Sequence, residues 1–270
     1  MRIGFHIPIS RGWKKAVSYA QSLGCQTMQV FSHNPRSWGG FSQAKEVKLL
    51  LPAAGIKPLI IHAAYVVNLA SSKYGEKSRA LLLRERARGK EWGADFLVFH
   101  PGSGEREILY RNLEILSQHF SSPPYLTIEN TSGGGRRLGK ELREIEEILR
   151  LFPYLRFCLD TAHLFQQGCN LASARGRRHL FRSLEGKIGE EKLAMVHLND
   201  SLSPLSSHFD RHWHIGRGRI GEQGMREILR AFFPRDIAVI METPGIGSEM
   251  DRINMQKARV LSEDRLFHGY

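Results

Sequence analysis

Residues 96–103 read Phe96-Leu97-Val98-Phe99-His100-Pro101-Gly102-Ser103. Four consecutive apolar residues suit a short strand buried on both faces. The run stops on an imidazole and then on a Pro-Gly turn pair. Seven more runs of this kind recur: Ile3–Phe5, Thr27–Phe31, Leu59–Ile61, Tyr125–Ile128, Leu155–Leu159, Ala194–Val196 and Ala238–Met241. Amphipathic stretches with helical spacing lie between them, at Trp13–Leu23, Ser78–Trp92, Glu105–Phe120, Glu141–Leu151 and Gln223–Phe233. The first begins after Ser10 and is stopped by Gly24. Eight alternating units predict an α/β fold with a parallel sheet, and the length suits a single closed (β/α)8 TIM barrel of about 250 residues. The expected organisation is one domain over residues 1–270. A doubly wound open sheet is the alternative, but no GxGxxG follows a strand.

Seven of the eight runs hand over to a His, Asp or Glu: His6, His62, His100, Glu129, Asp160, His197 and Glu242. In a parallel barrel these all lie at the C-terminal ends of the strands, on the face whose loops carry chemistry. Any one alone reads most simply as a polar group satisfying the backbone. Seven around one mouth are expensive to desolvate without cations to neutralise them. Imidazole nitrogen and carboxylate oxygen suit zinc and its divalent neighbours. Two local pairs add donors, Asp160-Thr161-Ala162-His163 just past a strand end and Asp210-Arg211-His212 in the loop after His197. Spacing does not divide these donors among metals. Cys25, Cys158 and Cys169 lie outside the pattern and form no CxxC, so a reduced setting is expected and a cysteine-zinc site is not.

Hydrophobic residues at 41% and charged residues at 24% exclude wholesale disorder. Lys plus Arg number 39 against 27 Asp plus Glu, a net charge of +12, which favours a polyanionic partner such as nucleic acid or an acidic membrane surface. No apolar stretch is long enough to span a bilayer, and the N-terminal Met-Arg-Ile-Gly-Phe-His reads as a strand rather than a signal segment. A cytoplasmic protein is expected.

At these positions the chain resembles the endonuclease IV family of AP endonucleases over essentially its whole length. The resemblance rests on His62, His100-Pro101-Gly102-Ser103, Glu129-Asn130-Thr131 and Asp160-Thr161-Ala162-His163. It continues through His197-Leu198-Asn199-Asp200-Ser201, Asp210-Arg211-His212, the segment Gly216–Gly221 and Glu242-Thr243-Pro244. It implies a TIM-barrel catalytic domain with three Zn2+ ions, for which Mn2+ is an expected substitute. His62 and His100 would hold one ion, and Glu129 would bridge it to a second completed by Asp160, His197 and Glu242. His163, Asp210 and His212 would hold the third, while His6 would lie near the site without ligating. Three divalent cations against four carboxylates and five neutral imidazoles would leave the cluster positive, which suits a phosphodiester gaining charge in its transition state. The implied activity is zinc-dependent hydrolysis of DNA on the 5′ side of an abasic site by a bridging hydroxide, with Glu129 and Glu242 as the catalytic carboxylates. It would leave a 3′-hydroxyl and a 5′-deoxyribose phosphate, and would extend to trimming blocked 3′ ends. A monomer acting on double-stranded DNA, and so associated with the nucleoid, is expected.

Phe31-Ser32-His33-Asn34-Pro35-Arg36-Ser37-Trp38 reads as a loop, on its own an ordinary surface loop with Trp38 packed beneath it. The resemblance makes Arg36 and Tyr65 DNA-binding residues that enter the duplex at the lesion. Arg84-Glu85-Arg86-Ala87-Arg88 and Arg175-Gly176-Arg177-Arg178 read as solvated helix faces. The sequence departs from the family's pattern at Trp213, His214, Arg217 and Arg219, which bears on how DNA would lie near the third zinc. Two rival readings remain. A metal-dependent sugar isomerase or epimerase on the same barrel would need only Glu129, Asp160, His197 and Glu242. A DNA-binding protein with structural metals would have closed coordination shells.

Overall fold

The structure, a computed structural model, describes residues 1–40, 44, 46–232 and 235–263. All eight apolar runs are strands: β1 (Arg2–His6), β2 (Thr27–Phe31), β3 (Leu59–His62), β4 (Phe96–Phe99), β5 (Tyr125–Glu129), β6 (Arg156–Asp160), β7 (Leu193–His197) and, after a two-stranded ribbon of β8 (Asp200–Ser201) and β9 (His212–Trp213), β10 (Ala238–Met241). The eight are parallel and close in the order β1-β10-β7-β6-β5-β4-β3-β2. β10 closes the ring by pairing with both β1 and β7. This is the (β/α)8 barrel expected.

The helices are α1 (Trp13–Leu23), α2 (Val47–Ala53), α3 (Gly75–Trp92), α4 (Arg106–Ser117), α5 (Leu142–Leu151), α6 (Thr161–Gln167), α7 (Ala174–Ser183), α8 (Gly221–Phe232) and α9 (Glu249–Glu263). α1 stops as expected on Gly24 in the left-handed conformation (φ 71°). It begins at Trp13 as expected, with Gly12 as its N-cap and, among the described residues, no side chain capping it. The expected helix Gln223–Phe233 is α8, whose predicted last residue, Phe233, lies outside the described residues. α2, α6 and α9 were not expected. α2 ends on Pro52 and Ala53, and α6 is a seven-residue turn capped by the strand-end Asp160. α9 buries Met255, Ala258 and Leu261 together with the polar Asp251, Asn254 and Ser262.

Two apolar clusters divide the strand residues. Ile60, Val98, Cys158, Met195, Ala238 and Ile240 form the small one. Their strand neighbours, such as Ile61, Leu97, Phe157 and Val239, join the large cluster shared with the helices. Because strand side chains alternate between faces, the small cluster is the plug inside the barrel. Two residues on from Ile60, Val98, Cys158, Met195 and Ile240, on the same inward face, stand His62, His100, Asp160, His197 and Glu242. Thr127, buried in β5, leads in the same way to Glu129. The pleat therefore aims six expected site residues at the barrel axis, one layer above an apolar floor.

β1 approaches β2 unusually closely. A Cβ on Gly4 would lie 1.8 Å from the Thr27 carbonyl oxygen, which is backbone and cannot yield. Gly4→Ala is expected to lower unfolding stability by about 1–3 kcal/mol in denaturant titration, as overpacking does. Gly39→Ala, where an added Cβ meets nothing within 4 Å among the described residues, should stay within about 0.5 kcal/mol of the parent.

Candidate metal centre

Glu129 stands at the centre, completely buried. Its Oε2 lies 3.3 Å from His62 Nε2 and 3.6 Å from His100 Nε2. Its Oε1 lies 3.2 Å from both His163 Nδ1 and His197 Nδ1. His197 Nδ1 is also 3.4 Å from Glu242 Oε2 and 4.0 Å from Asp160 Oδ2. On the far side His163 Nε2 and His212 Nε2 lie 3.4 Å apart, with Asp210 Oδ1 at 3.2 and 3.4 Å from them. Donor atoms within 4.8 Å of one another group as His62, His100 and Glu129; as Glu129, Asp160, His197 and Glu242; and as Asp160, His163 and His212. All nine expected donors thus converge, and Asp160 adjoins two of the sets.

The donors fit divalent cations by their tautomers. A carbonyl oxygen only accepts, so a ring nitrogen facing one carries the hydrogen, and in the neutral ring that a metal would bind the partner nitrogen is bare. His62 Nδ1 donates to the Ala63 carbonyl at 2.7 Å, His163 Nδ1 to that of Asn130 at 3.0 Å and His212 Nδ1 to that of Glu242 at 3.3 Å. His197 Nε2 sits 2.9 Å from Gln29 Oε1. Each bare nitrogen then faces carboxylate oxygen, an acceptor against an acceptor, which a cation between them resolves. Among the described residues, Glu129 Oε1, His197 Nδ1 and His100 Nδ1 are buried without a hydrogen-bond partner.

Burial pushes the Glu129 carboxyl up, but His100, His197 and His163 outweigh it and hold the group well below the usual carboxylate range. Burial likewise opposes ionisation of Glu242, and His197 and His6 reverse it. His163 and His197 end well above the usual imidazole value: burial lowers them, but Asp160 and Asp210 around one, and Cys158, Glu242 and Glu129 around the other, raise them more. At His100 burial wins, bringing it down to about 4. Without a cation the centre therefore holds protons on His163 and His197, where a metal would replace them.

Several supporting residues carried no role in the sequence reading. Gln29 is a polar residue inside an apolar run, and its Nε2 donates to Glu242 Oε1 at 2.7 Å. Asn130 brackets the backbone of Asp160, donating to its carbonyl at 3.0 Å and accepting its N–H at 2.8 Å. Asn199 donates to Asp160 Oδ2 at 2.7 Å and accepts from the Glu242 N–H at 2.8 Å. Asp200 accepts from the N–H groups of Gly218 and Ile220 at 2.9 Å each, pinning the glycine segment beside β9. The signal available for Asn130 and Asn199 was position, directly or two residues after a strand-end donor. His6 lies beside the donors, with Nδ1 3.1 Å from Glu242 Oε1.

Two expectations need correction. Cys158 is not remote from the donors but forms a compact group with Glu129 and His197, because β5–β6 register sets Cys158 opposite Glu129. Burial pushes its thiol up to about 12, so it is floor, not thiolate. Glu85 is not on a solvated helix face but completely buried, and burial pushes it up to about 7. Arg36 is exposed in the loop after β2. Tyr65 is 63% exposed, its ring edge-on to Phe31 at 5.1 Å and to His62 at 6.2 Å. A cleft of about 400 Å³ runs between Tyr65, His62, Asp210, Glu242 and Ile246.

Residues 17–263 match the xylose isomerase-like TIM barrel family. The chain is 34% identical to a probable endonuclease 4 of Halothermothrix orenii over 94% of its own length and 99% of that protein. It is 35% identical to an endonuclease 4 of Thermus thermophilus, over 97% and 99% of the two chains. A crystal structure of endonuclease IV from Thermus thermophilus superposes with a TM-score of 0.88 at 34% identity, covering 97% of this chain and 98% of that one. With full-length identity at this level and the same barrel, the chain belongs to the endonuclease IV family of xylose isomerase-like TIM barrels.

Proposed function

We propose that this protein is a DNA-repair endonuclease, one catalytic domain that hydrolyses the phosphodiester 5′ to abasic sites and trims blocked 3′ ends. The observation that carries the reading is the gathering of eight His, Asp and Glu side chains around Glu129, whose two oxygens face different donor sets. In this reading His62, His100 and Glu129 hold one Zn2+; Glu129, Asp160, His197 and Glu242 hold a second; and His163, Asp210 and His212 hold a third, with Mn2+ as a substitute. Bound there, the cations supply Lewis acidity toward phosphoryl oxygens and lower the pKa of a water able to attack phosphorus.

The chain's own residues do the rest. Glu129 and Glu242 keep their charge in a buried site, which their histidine neighbours make possible. Gln29 holds Glu242 and His197 in mutual register. The exposed Arg36 and Tyr65 stand at the mouth to fill the space left by a missing base, which costs least to open where stacking is already broken. The net charge of +12 favours a polyanion. A sugar isomerase would use Glu129, Asp160, His197 and Glu242, but would have no need of the five further donors packed against them.

The deciding experiment is nicking of a duplex with one abasic site, set beside elemental analysis of the same preparation. Cleavage 5′ to the lesion with about three metals per chain is expected, abolished by chelation and restored by Zn2+ or Mn2+. One metal per chain with no nicking would overturn the proposal in favour of the isomerase. Glu242→Gln removes one charge while keeping shape, and is expected to lower kcat by about a hundredfold or more while binding of abasic duplex survives. Metal retention should fall with acid, because protons compete for His163 and His197, whose values are raised in the metal-free site. Dialysis against metal-free buffers from about pH 8 to 5 should show progressive loss. Retention that does not change with pH would contradict this.

A further inference from the structure

Beneath the mouth of the barrel lies a buried carboxylate that the metal chemistry does not use. Glu85 projects from α3 into the space under two loops, the one after β2 that carries Arg36 and the one after β3 that carries Tyr65. Its Oε1 accepts from Ser32 Oγ at 3.1 Å and from the Ala64 backbone N–H at 3.2 Å. Ser32 opens the first loop, and Ala64 immediately precedes Tyr65 in the second. One oxygen atom thus bonds to both.

The grip extends along the first loop. His33 Nδ1 lies 3.0 Å from Ser32 Oγ and 3.4 Å from Glu85 Oε1, and His33 Nε2 donates to the Ser37 carbonyl at 3.0 Å. Within that bracket Asn34 Oδ1 accepts from the Arg36 N–H at 3.0 Å. Arg84, the neighbour of Glu85 on α3, donates to the Trp38 carbonyl at 3.0 Å. Phe31, at the base of the loop, packs edge-on to Tyr65. Backbone on both sides of Arg36 is therefore tied back to the helix that also holds the Tyr65 loop.

This arrangement is costly. Glu85 is fully buried, and among the described residues its Oε2 has no hydrogen-bond partner. An apolar residue of similar volume would fill the space without desolvating a carboxylate. The carboxylate does what an apolar residue cannot: it sets the separation of two chain segments by two hydrogen bonds on one atom. Residues that enter a duplex together need that separation fixed before binding, since a site held an ångström too loosely loses discrimination.

We propose that Glu85 is a positioning residue for lesion recognition, holding the Arg36 and Tyr65 loops at a fixed spacing. This rests on the reading of Arg36 and Tyr65 as DNA contacts. The test compares Glu85→Leu, Glu85→Gln, Ser32→Ala and Arg36→Ala with the parent. It measures affinity for abasic and intact duplex at one salt concentration, kcat and KM for nicking, metal content and thermal midpoint. Glu85→Leu should weaken abasic binding and raise KM about tenfold, with kcat, metal content and intact-duplex affinity each within about twofold. Glu85→Gln keeps an acceptor oxygen in the same place, so discrimination should return to within about threefold of the parent although the buried amide lowers the midpoint. Ser32→Ala cuts only one tie and should fall between them; it decides the matter alone if Glu85→Leu does not fold. Parent-like discrimination in Glu85→Leu or, failing that variant, Ser32→Ala, while Arg36→Ala loses it, overturns the proposal alone. So does a Glu85→Gln as impaired as Glu85→Leu, or a loss of kcat and metal in step with KM. Unchanged discrimination in Arg36→Ala overturns the reading of the loop and the proposal with it.

Discussion

Everything at this site depends on the two-residue repeat of the β-pleat inside a closed ring of strands. Ile60, Val98, Cys158, Met195 and Ile240 fill the barrel, and the next inward position on each strand is a metal-type donor. No loop has to fold back to bring these donors together. Their spacing is inherited from the hydrogen-bonded ladder, in which Asp160 stands opposite His197. A one-residue slip of any strand would turn its donor outward into the helix layer and bring an apolar side chain into the polar mouth.

The same constraint explains why the mouth is so densely supported. In a donor set in the interior of a protein, each surrounding polar atom left unsatisfied costs stability. Gln29, Asn130 and Asn199 each touch two parts of the centre, and three histidines lean on backbone carbonyls of the loops that follow the strands. Orientation and protonation are set together, because the hydrogen bond that fixes a ring also decides which nitrogen is bare. Glu129 is the exception that organises the rest: it keeps its charge because imidazoles surround it, and it is where the donor sets meet.

The barrel was legible because strands buried on both faces appear as unbroken apolar runs, and the donors because each stands as the first polar residue after such a run. His163, Asp210 and His212, which lie off the strand ends, emerged from local pairs and the family pattern. Gln29 was hidden because a glutamine within an apolar run has no pairing signal until β2 is set against β7 and β10 through the barrel interior. Glu85 was misread because its flanking arginines look like a solvated face, and only the packing of α3 beneath two loops shows that position to be buried. α9 escaped because its buried face mixes polar Asp251, Asn254 and Ser262 with Met255, Ala258 and Leu261, which blurs the apolar stripe.

The closure of the ring by β10 bears on synthesis at the ribosome. Glu242 follows the strand that joins β7 to β1, and it is the last in chain order of nine donors that begin at His62. A nascent chain that has released His62 through His212 already exposes eight of them, with the barrel still open between its first and seventh strands. In such an intermediate the ladder that sets the spacing of these imidazoles and carboxylates is incomplete. The ring that fixes their spacing is completed only once β10 has been made, so the finished arrangement is reached late in synthesis.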